Sequence, residues 1–180
     1  KLVVEGETLD LGVCGHSDFV RVLDMRTGLL TRSFLWKTKA VGAVEVRFER
    51  LLSMPRPEVL GQRITLCALE RDAAAQLTFA VDGNILHQTT GKCLWEDAAD
   101  SGEETVCLTL KTASTGIVAR YTQRVICAGA RKLTRGYRLS GESYQLTLQR
   151  GVETTVERTV CVQVAHEGET LAMPQPAPAF

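Results

Sequence analysis

Apolar and polar residues alternate along most of this 180-residue chain, and that alternation constrains the fold more than any other feature. The clearest run is VEVRFERLL at 44–52, where Val44, Val46 and Phe48 alternate with charged residues. Successive side chains of a strand point to opposite faces, so this run predicts a strand with one apolar and one charged face. No window has the spacing of an amphipathic helix. We therefore predict an all-β chain.

The same alternation recurs in further segments, with turn-forming residues between them. The apolar positions are Ile64, Leu66, Ala68; Leu77, Phe79, Val81; Val106, Leu108, Leu110; Tyr144, Leu146, Leu148; and Val156, Val160, Val162, Val164. The turn signals are Thr27-Gly28, Val41-Gly42, Asp82-Gly83-Asn84, Ser114-Thr115-Gly116, Ser140-Gly141 and Arg150-Gly151. Short turns join antiparallel neighbours, and strands with one apolar face are best buried by two sheets packed face to face. We predict a large antiparallel β-sandwich over residues 1–170, rather than a closed barrel.

The two ends of the sequence differ from the alternating segments. Residues 171–180, LAMPQPAPAF, hold three of the five prolines, and proline favours an extended chain without backbone donors. We expect a Pro/Ala-rich linker there. The first residue is Lys1, and no charged and then apolar leader precedes the first strand-like segment. We expect a fragment of a larger protein.

The charge balance and the cysteines narrow the possible partners and the compartment. The 21 Lys and Arg match 21 Asp and Glu, so no basic excess favours nucleic acid or an anionic membrane. Apolar runs fall short of the roughly 18 residues that a membrane-spanning helix needs, and we expect a soluble protein. The six cysteines have no metal-type spacing, and we expect reduced thiols in the cytoplasm; they are Cys14, Cys67, Cys93, Cys107, Cys127 and Cys161.

No motif of a common enzyme class is present. The sequence lacks a nucleophile elbow, a phosphate-binding loop and a dinucleotide fingerprint, so we predict no catalytic residue and no cofactor. His166-Glu167 lacks the second histidine of a zinc-protease helix. The three histidines, His16, His87 and His166, are far apart in sequence, and we predict no metal site.

Acidic residues beside tryptophan leave two interpretations open. In LWEDAAD, Trp95 is followed by Glu96, Asp97 and Asp100, which is compatible with a carbohydrate subsite or with a solvated acidic loop. A sugar ring could stack on Trp95 or on Trp36. Asp82 and Asn84 flank a glycine and are typical of a turn, because their side chains mimic backbone hydrogen bonds.

One longer block carries a family resemblance. LDMRTGLLTRSFLW at 23–36, followed by VEVRFERLLSM at 44–54 and VDGNI at 81–85, resembles the N-terminal β-sandwich domain of glycoside hydrolase family 65. The family includes maltose, trehalose and kojibiose phosphorylases and related α-glucoside hydrolases. The resemblance runs from about residue 7 to about residue 164 and implies a galactose-mutarotase-like supersandwich that is truncated at its N-terminal side. It also implies that the general acid, a glutamate, and the phosphate site of an inverting reaction lie on an (α/α)6 barrel that is absent here.

The resemblance implies a non-catalytic scaffold that packs on that barrel and shapes the mouth of its active site. The parent protein would then be an inverting disaccharide phosphorylase or a glycoside hydrolase. Expected partners are the barrel, a second copy in a homodimer, and an α-glucoside. The main alternative is a separate carbohydrate-binding module with a tryptophan platform. A mutarotase-like enzyme would need a histidine and a carboxylate that converge, and the histidine spacing gives no sign of such a pair.

The hairpin at 23–36 suggests why charge lies among apolar residues. If Met25-Arg26-Thr27-Gly28 forms a type I turn with Gly28 in the left-handed region, Asp24 would lie opposite Leu30. Asp24 and Arg32 would then be diagonal neighbours on one face. We expect an ion pair at the edge of an apolar surface, on a strand pair between the sandwich and the barrel. Asp24, Arg26, Gly28, Arg32, Asp82 and Asn84 are accordingly the candidate interface or structural residues.

Overall fold

A computed structural model describes residues 1–100, 106–166 and 169–171. These residues form strands, turns and irregular segments. The strands are β1 (Leu2–Val4), β2 (Glu7–Thr8), β3 (Gly15–Asp24), β4 (Leu29–Thr38), β5 (Gly42–Leu52), β6 (Val59–Ala68), β7 (Ala73–Asp82), β8 (Trp95–Asp100), β9 (Val106–Thr112), β10 (Val118–Ile126), β11 (Ala130–Gly136), β12 (Leu139–Leu148) and β13 (Thr154–Ala165). Among the described residues no helix has the length and apolarity to cross a membrane. The expected linker lies outside the described residues, apart from Leu171.

The strands pair into two antiparallel sheets of unequal width. The narrower sheet has five strands in the order β11-β12-β7-β1-β2. The wider sheet has eight, in the order β3-β4-β5-β6-β13-β10-β9-β8. The predicted all-β class and antiparallel β-sandwich are confirmed.

Alternation positions the core as the sequence predicts. Phe34 pairs with Val46, and Val46 with Leu66, so three buried side chains from β4, β5 and β6 form one row on the inner face of the wider sheet. Leu77 and Tyr144 face this row from paired strands of the narrower sheet. Burial of such rows against each other supplies the main favourable free energy of a sandwich.

One predicted turn is wrong. Ser140 and Gly141 lie inside β12, and the β11–β12 turn is Tyr137-Arg138. Gly141 pairs with Ala80, and a Cβ at Gly141 would come within 2.6 Å of the carbonyl oxygen of Phe79. The glycine therefore permits close approach of two strands and does not mark a reversal of the chain.

The wider sheet extends past the narrower one at its β3 end. Phe34 and Trp36 are buried between the sheets, whereas nearly every residue of β3 is exposed. The β3–β4 hairpin therefore projects beyond the part of the wider sheet that the narrower sheet covers.

All six cysteines have free thiols in the structure. Cys67, Cys107 and Cys161 are buried in strands of the wider sheet, whereas the other three are half-buried. Burial raises the pKa of the Cys67 and Cys161 thiols, so the reactive thiolate is disfavoured there.

Candidate functional site

Asp24 organises the turn of the β3–β4 hairpin. Its Oδ1 accepts hydrogen bonds from the backbone N–H of Arg26 at 2.9 Å and of Thr27 at 3.4 Å. The backbone N–H of Gly28 donates to the carbonyl of Asp24 at 2.7 Å. Gly28 has φ of 74°, so its predicted left-handed conformation is confirmed. A hydrogen bond with the Thr27 side chain, followed by that with the Arg26 backbone, lowers the pKa of Asp24.

The predicted register of this hairpin is wrong by one residue. Asp24 pairs with Leu29, and Arg32 pairs with Arg21. A shift of one residue moves side chains to the opposite face of a sheet, so Asp24 and Arg32 lie on opposite faces and make no ion pair. The turn consists of residues 25–28 and is closed by the backbone hydrogen bond to Asp24, so the strands pair directly beyond it. The predicted type I turn placed this pairing one residue later.

Arg32 lies on the inner face instead of pairing with an acid. Its guanidinium carbon is 4.8 Å from the centroid of the Phe48 ring, a cation–π distance. Partial burial lowers the pKa of Arg32, and the charges of Arg50 and Arg21 lower it further. Arg26 is exposed in the turn.

Three exposed apolar residues of the hairpin form what we call the hairpin surface: Val20, Val22 and Met25. Val20 and Val22 are about half exposed on the outer side of β3, and Met25 is 84% exposed at the tip. Because β3 is an edge strand, its outer backbone edge has no partner strand among the described residues. A contiguous apolar edge of this kind is characteristic of an interaction site.

Asp82 and Asn84 form a turn at the other end of the sandwich. Asp82 Oδ1 accepts from the backbone N–H of Asn84 at 2.9 Å and from its amide at 3.0 Å. The Asn84 amide also donates to the Tyr137 carbonyl at 2.8 Å. The DGN segment therefore links β7 to the β11–β12 turn, and both side chains are used within the fold.

Trp95 and Glu96 lie near this turn, at the start of β8. Trp95 is half-buried and Glu96 is exposed. Arg138 donates to the backbone carbonyl of Glu96 and to the Cys93 sulfur, and the Cys93 thiol donates to the carbonyls of Gly83 and Trp95. Trp95 thus keeps a partly open ring on a segment that Arg138 fixes. The side chains of Asp97 and Asp100 lie outside the described residues.

Trp36 cannot serve as a sugar platform. Its side chain is 1% exposed and lies in the inter-sheet core, so the ring has no face open to a ligand. The prediction of a sugar contact at Trp36 is therefore wrong. The reason is its position in β4, opposite Val44, where the alternation directs it inward.

A buried polar network joins the two sheets, and the sequence analysis did not identify it. At its centre is Glu142, 2% exposed, which accepts hydrogen bonds from Gln123 at 2.7 Å, Arg131 at 2.6 Å and Tyr144 at 3.1 Å. Arg158 then donates to Gln123 and to the Tyr121 hydroxyl. These hydrogen bonds join described residues of four strands, β10 and β13 of the wider sheet and β11 and β12 of the narrower one.

Burial and neighbouring charges shift the pKa values of two groups in the network. Burial raises the pKa of Tyr144, and the neighbouring charge of Glu142 raises it further. Burial lowers the pKa of Arg131, but the hydrogen bond and the charge of Glu142, together with Tyr144, outweigh this and leave the pKa raised. The sequence did carry a signal for this network. Glu142 shares the alternate positions of Tyr144 and Leu146, and Arg158 shares those of Val156, where the alternation predicts an apolar residue.

No metal site emerges among the described residues. No group of three or more His, Cys, Asp or Glu side chains there is arranged to hold an ion. The His16 ring contacts the Phe19 and Phe34 rings at the base of the hairpin. His87 Nδ1 accepts from the backbone N–H of Thr90 in a loop. These two histidines therefore have local packing or turn roles.

The chain belongs to glycosyl hydrolase family 65, because the family's N-terminal domain model matches residues 1–178. The α,α-trehalose phosphorylase of Thermoanaerobacter brockii is 29% identical over 85 residues, which is 47% of this chain and 11% of that enzyme.

Solved structures agree with the family assignment. A protein described as a kojibiose phosphorylase from the human microbiome superimposes with a TM-score of 0.84 at 29% identity, over 94% of this chain and 22% of that one. A heparinase III gives a TM-score of 0.50 at 8% identity over 93% of this chain and 28% of that one, which shows a shared fold only. This chain spans less than a quarter of the length of the two phosphorylases.

Proposed function

We propose that this chain is the N-terminal β-sandwich domain of a longer family 65 enzyme, where it acts as a non-catalytic scaffold. The family model that matches residues 1–178 is itself that of the N-terminal domain. The similarity to a kojibiose phosphorylase and a trehalose phosphorylase favours a parent that acts on an α-linked glucose disaccharide. Three buried free cysteines are compatible with a cytoplasmic location.

The observation that carries the scaffold role is the hairpin surface. Val22 and Met25 are 53% and 84% exposed on a hairpin that projects past the narrower sheet. Burying such side chains against a second domain would contribute about 1.5 to 3 kcal/mol for each one fully buried. We propose that the hairpin surface packs on the (α/α)6 barrel of the parent and thereby shapes the mouth of its active site.

Activity assays test the non-catalytic role. The 180-residue chain, incubated with phosphate and maltose, trehalose or kojibiose, should release no glucose or glucose 1-phosphate above a heat-treated control. Turnover above that control would refute the scaffold role. Titration of the same chain with these sugars, followed by tryptophan fluorescence, tests the alternative of a carbohydrate-binding module at Trp95. Saturable quenching that is lost in Trp95→Ala would support that alternative.

Substitutions in the hairpin surface test the docking contact. Val22→Asp and Met25→Asp should each destabilise the longer protein by about 2 kcal/mol, because they place charge in a buried contact. The same changes should leave the 180-residue chain unaffected, since both side chains are exposed there. Ile85→Asp is the matched control, because Ile85 is 70% exposed on a loop away from the hairpin. Equal effects of all three changes in the longer protein would contradict a contact at this surface.

A further inference from the structure

The inner face of the wider sheet carries four arginines that we call the arginine row: Arg21, Arg32, Arg50 and Arg158. Arg21 lies directly opposite Arg32 on β3 and β4. Gln62 of β6 lies opposite both Arg50 and Arg158, on β5 and β13. The row crosses five neighbouring strands, a distance of about 19 Å at ~4.8 Å per strand. It begins on the exposed hairpin and ends at the buried network.

The outer face of the same sheet arranges its charges differently. Arg63 lies opposite both Glu49 and Glu157, and its guanidinium is 3.8 Å from Glu49 and 2.8 Å from Glu157. Arg47 is 4.0 Å from Glu49 on the same face. Opposite charges therefore neutralise one another along the outer face. Like charges placed directly opposite each other, as in Arg21 and Arg32, oppose folding instead.

The arginine row has no counter-charge of its own. No described carboxylate lies within 4.0 Å of any of its four guanidinium groups. The hydrogen-bond acceptors of Arg158 are the neutral groups of Gln62, Gln123 and Tyr121. Partial burial and the charges of Arg50 and Arg21 lower the pKa of Arg32, and no acid offsets them.

Two cavities open along the row. One of about 100 Å³ lies among Arg21, Arg32 and Arg50, and a second of about 350 Å³ lies between the sheets beside Arg50 and Arg158. Neither is lined by Asp or Glu. A third cavity, of about 450 Å³, also touches Arg158 and is lined by Glu58, but that carboxylate is 3.1 Å from Arg56 and already paired.

The shape of this surface favours a polypeptide over a small anion. An anion the size of phosphate could fill the cavity among Arg21, Arg32 and Arg50, but in a row of about 19 Å it would leave the exposed leucines without a partner. Exposed Leu23 and Leu52 flank the row, so cationic and apolar side chains share the uncovered face. Arg50 lies two residues along β5 from Phe48, the partner of Arg32. That diagonal, about 7 to 8 Å, is close to the spacing of alternate side chains on an extended chain, ~6.8 Å.

We propose that the arginine row is a docking surface for an acidic polypeptide segment. The segment would place carboxylates against Arg21, Arg32 and Arg50 and apolar side chains against Leu23 and Leu52, so that both the charges and the uncovered inner face gain a partner. This surface is distinct from the hairpin surface, and the inference holds whether or not the longer protein is a phosphorylase.

A peptide titration tests the proposal with the 180-residue chain. The probe is a nine-residue peptide, Leu-Thr-Glu-Thr-Glu-Thr-Glu-Thr-Leu, whose Glu and Leu side chains share one face of an extended chain, and its control replaces every Glu with Gln. Arg32→Gln combined with Arg50→Gln should weaken binding of the Glu peptide at least tenfold at low salt. The matched control, Arg47→Gln with Arg124→Gln, removes the same charge from exposed outer-face positions and should weaken it less than twofold. The Gln peptide should not bind, and this comparison leaves the protein unaltered.

Three outcomes would overturn the proposal. Equal weakening by both pairs of substitutions would mean unspecific attraction to net charge. Displacement of the peptide by inorganic phosphate at the peptide's own concentration would identify a small-anion site. Sedimentation that shows a dimer of the unmodified chain, dissociated by the inner substitutions alone, would assign the surface to a second copy.

Discussion

The two ends of the inner face of the eight-stranded sheet have the same backbone pairing but opposite side-chain chemistry. At the covered end, Phe34, Trp36 and Val46 are buried against the five-stranded sheet. At the uncovered end, the same strands continue with Arg32 and Arg50, which lie in the arginine row. Even-numbered positions of these strands face inward at both ends, so the alternation of side chains alone does not distinguish core from surface.

The difference shows what the second sheet does. Where the narrower sheet lies over the wider one, inward positions are apolar and contribute to stability. Where that cover ends, inward positions carry cations and half-exposed leucines, which a sandwich interior would not accept without partners. The polar network at Glu142 lies where the arginine row ends and contributes an ion pair and hydrogen bonds that join the two sheets.

The largest expected effect contrasts a core residue with an uncovered one. Trp36→Ala should destabilise the chain by about 3 to 5 kcal/mol, through lost burial and a residual cavity. Leu23→Ala, at a side chain that is 52% exposed, should change stability by about 0.5 kcal/mol or less. Urea denaturation followed by circular dichroism measures both. A large cost at Leu23 would mean that the uncovered end is buried in solution.

Removal of the central charge of the network should rank second. Glu142→Gln should cost about 2 to 3 kcal/mol, because Arg131 loses its anionic partner and a charged hydrogen bond becomes a neutral one. Arg131→Gln should cost less, since its guanidinium is more exposed than Glu142. The same denaturation measurement compares them. If Glu142→Gln were neutral, the network would not stabilise the packing of the two sheets.

The turn of the hairpin should give a smaller effect. Gly28→Ala should cost about 1 kcal/mol, because an L residue is strained at the φ of 74° found there. Its nearest contact would be Leu51 at an ordinary 3.8 Å, so crowding adds nothing. Gly15→Ala, near the other end of β3 and without a positive φ, is the matched control and should be nearly neutral. Equal costs would point to a loss of strand flexibility.

The smallest expected value is a coupling energy. A double-mutant cycle on Asp24→Asn and Arg32→Gln should give a coupling near zero, because the two side chains lie on opposite faces of the hairpin. Thermal unfolding of the four proteins measures it. Coupling above about 1 kcal/mol would restore the register in which the pair shares a face.

Much of the fold could be predicted from the sequence. Alternation around Val46, Phe79 and Leu146 indicated strands, since a strand with one buried face needs an apolar residue at every second position. The LDMRTGLLTRSFLW block indicated the family, which the match over residues 1–178 confirms. The turn at Gly28 followed from the positive φ that glycine adopts without strain. The turn at Asp82 to Asn84 followed from side chains that mimic backbone hydrogen bonds.

The tertiary structure decided the rest. Trp36 and Trp95 are the same residue type, yet the first is buried in the core between the sheets and the second is half-buried at the start of the edge strand β8. Whether Asp24 faces Arg32 depended on a single residue of register, which the hydrogen bonds of the four-residue turn set. The sequence determined which face each strand could bury, because successive side chains of a strand point to opposite faces whatever the strand packs against. The structure determined which faces were buried and which charges met, because these depend on contacts between residues far apart in the chain.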